Sequence, residues 1–136
     1  MENLKEKATK VIKKFKEIYG EPKTMLNYNT PFELMVAVVL SAQCTDKRVN
    51  IVTEELFAKY NTQKDFAHID IEILENFIKS TGFYKNKAKN IKSASIKLLE
   101  NFNGEVPNTI EKLITLDGVG RKSANVILGH IYDIKE

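Results

Sequence analysis

Apolar residues in this chain recur at the spacing of helices, and no segment alternates apolar and polar as a half-buried strand would. Leu4, Ala8, Val11, Ile12, Phe15 and Ile18 form one stripe with lysines on the other face, and Gly20-Glu21-Pro22 ends it. Thr30-Pro31-Phe32-Glu33 opens the next helix. Threonine suits the N-cap, proline the first helical position, and Glu33 completes a capping box. From Phe32 to Leu40 that helix is apolar on every side, so it is expected at the centre of the fold.

A third helix begins after Thr45 or Asp46 and turns Val49, Val52, Leu56 and Phe57 inward, and a short helical piece follows at 63–67. Asp70 caps a helix with Ile73, Leu74, Phe77 and Ile78 on one face, closed by Gly82. A long helix carries Ala88, Ile91, Ser95, Leu98, Leu99 and Phe102 in a stripe and ends at Asn103-Gly104. Pro107-Asn108 opens a capping box from Asn108 to Glu111, ahead of Leu113 and Leu116, and the last helix covers about 120–131. The expected fold class is all-α, with compact helices and short connections.

The 136 residues suffice for one ordinary domain. Hydrophobic residues at 43% and charged residues at 29% fit a globular chain. The longest apolar run, Leu34 to Leu40, falls far short of the roughly 20 residues of a membrane span. The N-terminus has no apolar core of a secretory signal, so a cytoplasmic location is expected, with no membrane partner. The one cysteine, Cys44, excludes a disulfide framework and an all-cysteine metal or iron–sulfur site within the chain. His68 and His130 have no ligand-like spacing and are read as structural, so no metal site is expected. Twenty-one basic against 18 acidic residues leave a net charge of +3, which permits nucleic acid as a partner without demanding it.

Chemistry concentrates in Leu113-Ile114-Thr115-Leu116-Asp117-Gly118-Val119-Gly120-Arg121-Lys122-Ser123-Ala124. A short helix ends, a Gly-Val-Gly turn follows, and a second helix begins at once. The glycines let the backbone turn sharply and approach another molecule. The backbone of Gly118, Val119 and Gly120, with the first free N–H groups of the new helix, forms an anion site that suits a phosphate, and Arg121 and Lys122 add positive charge. A bare Gly-x-Gly would only turn a helical hairpin; two helical flanks and a following basic pair favour phosphate binding. From Lys79 to Lys97 the lysines at 79, 85, 87, 89, 92 and 97 are not interrupted by an acid. Such a run is either a solvated face or a set of phosphate contacts.

The segment Leu-x-Gly-Val-Gly-Arg-Lys-Ser-Ala-Asn-Val resembles the helix-hairpin-helix motif of the endonuclease III family of DNA glycosylases. Ser41-Ala42-Gln43-Cys44-Thr45-Asp46, Thr81-Gly82-Phe83-Tyr84 with Lys87-Ala88 and Ile91, and Asn103-Gly104-Glu105-Val106-Pro107 resemble further segments of that family, in the same order. The resemblance implies a helix-hairpin-helix six-helix domain at 21–136, with the hairpin at about 109–131, and a helix at 1–20 that in the family belongs to an iron–sulfur domain. It implies a bifunctional base excision repair enzyme that removes oxidised pyrimidines from duplex DNA and nicks the strand as an AP lyase. The family's catalytic lysine falls on Lys122. It attacks C1′ as a neutral amine, displaces the base and forms a Schiff base that promotes β-elimination of the 3′ phosphate. The target nucleotide must be flipped out. The residues that fill the gap fall on Gln43 and Phe83, the latter equally readable as a core aromatic behind a glycine. Lys87, inside a shared segment, is the lysine of the run singled out as a phosphate contact.

In the family a Val-Asp-Thr-His segment, whose aspartate activates the lysine, and four cysteines of a [4Fe–4S] cluster follow. Neither is among the 136 residues. The resemblance therefore implies a chain cut before both, weak or inactive alone, with the cluster expected only in the full-length family protein. The 1–20 helix would then be left exposed or in a dimer contact. The alternative reading is a non-catalytic helix-hairpin-helix module that binds DNA.

Overall fold

The computed structural model describes the backbone of residues 25–135 and the side chains of residues 25–130. The expectations for residues 1–20, including the dimer contact, lie outside the described residues. Among the described residues seven α-helices follow one another: α1 (Pro31–Leu40), α2 (Asp46–Lys59), α3 (Gln63–His68), α4 (Ile71–Ile78), α5 (Tyr84–Asn101), α6 (Ile110–Leu113) and α7 (Arg121–Lys135), with a 3₁₀ turn at Lys79–Thr81 between α4 and α5. No strand occurs among the described residues.

Each start has a local cause. The Thr30 hydroxyl accepts the Glu33 N–H at 3.1 Å, and Pro31 occupies the first helical position. The Glu33 carboxylate returns to the Asn29 N–H at 3.0 Å, one residue before the cap, so the box closes on the preceding loop. Thr45, Thr62 and Asp70 cap α2, α3 and α4 in the same way. Before α6 the cap is Thr109, not Asn108: its hydroxyl accepts the Lys112 N–H at 3.3 Å, which starts the helix one residue later than the sequence reading. The α4 helix ends at Ile78 and tightens into the 3₁₀ turn before Gly82, so Gly82 closes that turn rather than the helix. At the end of α5, Asn103 and Gly104 take positive φ and the Gly104 N–H returns to the Leu98 carbonyl at 2.7 Å.

As its composition requires, α1 is the centre: every residue from Phe32 to Leu40 is buried. It packs on α2, α5 and α7, while α5 also carries α3 and α4 against its sides. Phe32 and Phe66 meet edge to face at a centroid separation of 5.3 Å. From the expected inward stripes, Ile73 and Leu99 turn out exposed, whereas Leu74, Ile78, Ile91 and Leu98 are fully buried.

Candidate nucleic-acid interface

The hairpin between α6 and α7 is held by its own backbone and by two apolar pegs. The Leu116 N–H bonds the Leu113 carbonyl at 3.0 Å, and the Val119 N–H bonds the Leu116 carbonyl at 3.2 Å. Leu116 and Val119 are both buried. Val119 is therefore corrected as a DNA contact: its side chain lies in the core and its N–H is already donated. Gly118 has φ +86°, and a Cβ there would stand 3.0 Å from the Asn90 Cβ and 3.3 Å from its Nδ2. The backbone demands glycine at 118, and a Cβ there would in addition press on Asn90. Gly120 differs, because a Cβ there would meet nothing within 4 Å.

The first bond of α7 runs from the Ala124 N–H to the Gly120 carbonyl at 2.8 Å. The N–H groups of Arg121, Lys122 and Ser123 thus have no partner four residues back within the helix. Those of Gly118 and Gly120 find no acceptor among the described residues. Open N–H groups at the positive end of a 15-residue helix suit an anion. Arg121 and Lys122 are exposed on its first turn.

One face of α5 buttresses the hairpin. Asn90 touches Gly118, Ser93 Oγ donates to Asp117 Oδ2 at 2.6 Å, and Lys97 Nζ donates to the Thr115 carbonyl at 2.9 Å. Spacings of three and four put these residues on one side of a helix.

Gln43 lies between α1 and α2, and Phe83 immediately precedes α5. Both are exposed, Phe83 at 64%, which rules out the core reading of its ring. Both have left-handed backbone, with φ 53° at Gln43 and 47° at Phe83. Such conformations cost a non-glycine residue about 1–3 kcal/mol and gather at functional sites.

Lys87 is not a phosphate contact, contrary to the sequence reading. It is 5% exposed, and its Nζ donates to the carbonyls of Leu40, Ala42 and Thr81, each at 2.9 Å. Burial pushes its ammonium below the ordinary lysine value, and charge on the nearby Cys44 sulfur works the other way. Lys92 Nζ donates to the Ile69 carbonyl at 2.6 Å just beyond α3, as Lys97 does beyond α6. Three lysines of α5 thus reach carbonyls at the ends of other elements. Their five-residue spacing turns each about 140° from the last, so they point three ways around the helix. That spacing was the available signal. Lys79 lies 5.7 Å from the centre of the Tyr84 ring, and Lys85 and Lys89 are exposed. His130 is buried against the edge of Tyr28, 6.0 Å between ring centres, whereas His68 is exposed and bonds the Lys64 carbonyl through Nδ1.

Residues 36–133, from α1 into α7, match the family model described as HhH-GPD superfamily base excision DNA repair protein. The chain belongs to this superfamily. It is 48% identical over 134 residues to the endonuclease III of Synechocystis sp., covering 98% of this chain and 61% of that protein. It is 45% identical over 121 residues to the endonuclease III of Bacillus subtilis, covering 89% of this chain and 55% of that protein. A solved non-covalent endonuclease III–DNA complex matches with a TM-score of 0.81 and 41% identity, over 96% of this chain and 61% of that one. The chain therefore spans under two thirds of the length of these relatives.

An iron–sulfur cluster, which the family resemblance implies, needs four thiolate ligands. This superfamily member has a single cysteine, the half-buried Cys44, and no group of three potential metal ligands among the described residues. These residues do not fit the cluster. No described helix is long and apolar enough to cross a membrane.

Proposed function

We propose that this chain works in base excision repair of duplex DNA in the cytoplasm, as the hairpin-bearing six-helix unit, at 21–136, of an endonuclease III-type glycosylase and AP lyase. The observation that carries this reading is Lys122: it is exposed on the first turn of α7, beside a glycine turn whose N–H groups stand open. A phosphate of the damaged strand sits on the N–H groups of Gly118, Gly120 and the first turn of α7, with Arg121 beside it. The nucleotide is flipped, and the exposed Gln43 and Phe83 fill the gap, the amide against the orphaned base and the ring against its neighbours. The Lys122 amine attacks C1′ through its nitrogen lone pair; the bond to the base breaks as the C1′–N bond forms, and the base leaves with a proton from solvent. The nitrogen then gives up a proton, and the C1′–O4′ bond opens, with O4′ taking a proton, to leave an imine between Lys122 and C1′. The resulting Schiff base then eases loss of the 3′ phosphate by β-elimination. The solved complex of a similar endonuclease III with DNA supports DNA as the partner.

Borohydride trapping on duplex containing an abasic site tests the reading. A covalent adduct formed by this chain and absent from Lys122→Ala is expected. Salt-sensitive binding without an adduct would instead make the chain a non-catalytic hairpin module.

A further inference from the structure

We propose that Lys87 is a positioning residue that ties the Gln43 loop to the Phe83 turn, so that the two side chains enter the duplex as a pair; this rests on the duplex reading above. An ammonium has three donors and no acceptor. All three are used here, on the carbonyls of Leu40, Ala42 and Thr81. Leu40 is the last residue of α1, where carbonyls lack helical partners. Ala42 immediately precedes Gln43, and Thr81 lies two residues before Phe83. Local bonds from these segments serve carbonyls of the preceding helices: Ser41 Oγ donates to Val38 and Thr81 Oγ1 to Ile78. Lys87 crosses from one loop to the other.

The two loops need such a tie, because each holds a left-handed non-glycine residue, Gln43 in one and Phe83 in the other, that its own sequence does not favour. The tie leaves both side chains exposed while the ammonium that holds them stays in the interior. An arginine fork could not replace it, since a planar guanidinium does not match three carbonyls gathered about one point.

The test uses the full 136-residue chain and a duplex carrying 2-aminopurine opposite a tetrahydrofuran abasic analogue. The unsubstituted chain changes the 2-aminopurine fluorescence on binding; if it does not, the duplex reading fails and this proposal with it. In Lys87→Met, helical circular dichroism and salt-dependent affinity for undamaged duplex are retained. Most of the fluorescence change is lost, and affinity for the abasic duplex falls about tenfold, the equivalent of about 1.4 kcal/mol. In Lys87→Gln, which keeps two donors, part of the fluorescence change remains. A full fluorescence change in Lys87→Met overturns the proposal. So does an equal loss of affinity for damaged and undamaged duplex, or failure of both variants to fold, since each would make Lys87 a general stabilising residue.

Discussion

A Cβ on Gly118 would stand 3.0 Å from the Cβ of Asn90, which seats the hairpin turn directly on the side of α5. The turn is left-handed at that point as well, with φ +86°. Gly118→Ala is therefore expected to lower stability by about 1–3 kcal/mol through strain alone, with the Asn90 contact added to it. Gly120→Ala is expected to stay within about 0.5 kcal/mol of the parent chain. Urea unfolding of the two variants side by side checks the contrast; equal losses would mean that the turn does not rest on Asn90.

Gly120 separates folding from binding. Because nothing within 4 Å awaits a Cβ there, an effect of Gly120→Ala on DNA must come from what approaches the turn from outside. We expect weaker binding by roughly 1 kcal/mol, similar for all duplex sequences, since a phosphate contact carries no sequence information. Anisotropy titrations with unrelated duplexes measure this, and unchanged affinity would move the phosphate away from the turn.

Ser93 and Asp117 form an exposed bond to a carboxylate at 2.6 Å. Removing it with Ser93→Ala should cost about 1 kcal/mol, less than a buried charged bond would, because water replaces the donor. The double variant Ser93→Ala/Asp117→Ala should be non-additive by about 0.5 kcal/mol or more in urea unfolding. Strict additivity would show that the bond contributes nothing in solution.

Burial holds Lys87 below the ordinary value of 10.5, with the Cys44 charge opposing it. Between its lowered native value and 10.5, the unfolded chain binds more protons at this group than the folded one. Its contribution to stability therefore rises with pH across that window and is level on either side of it. The stability of the parent chain minus that of Lys87→Met should grow as the pH rises toward 10.5. A difference that shrinks over this range would contradict the burial.

What is local in this chain was legible, and what is assembled was not. Thr30 and Asp70 announce their helices because a cap acts over two or three residues, and the apolar run of α1 states its own burial. Asn108 and Thr109 are adjacent residues that both cap well, so the sequence could not choose between them. Lys87 misled for another reason. Two of its acceptors lie 47 and 45 residues away, and a lysine in a lysine run gives no sign of carbonyls that only folding brings together. An aromatic behind a glycine reads equally as core or as a DNA contact, and only the fold, which leaves the Phe83 ring 64% exposed, removes the core reading. Val119 lies in the glycine turn, but folding pointed its side chain inward and used its N–H.

Lys122 is the centre of the account, and peptide mapping of the borohydride-reduced adduct on abasic duplex tests it most directly. The predicted result is the sugar remnant on Lys122, in the peptide that follows the hairpin glycines. An adduct on another lysine, or none where duplex binding is intact, would contradict it.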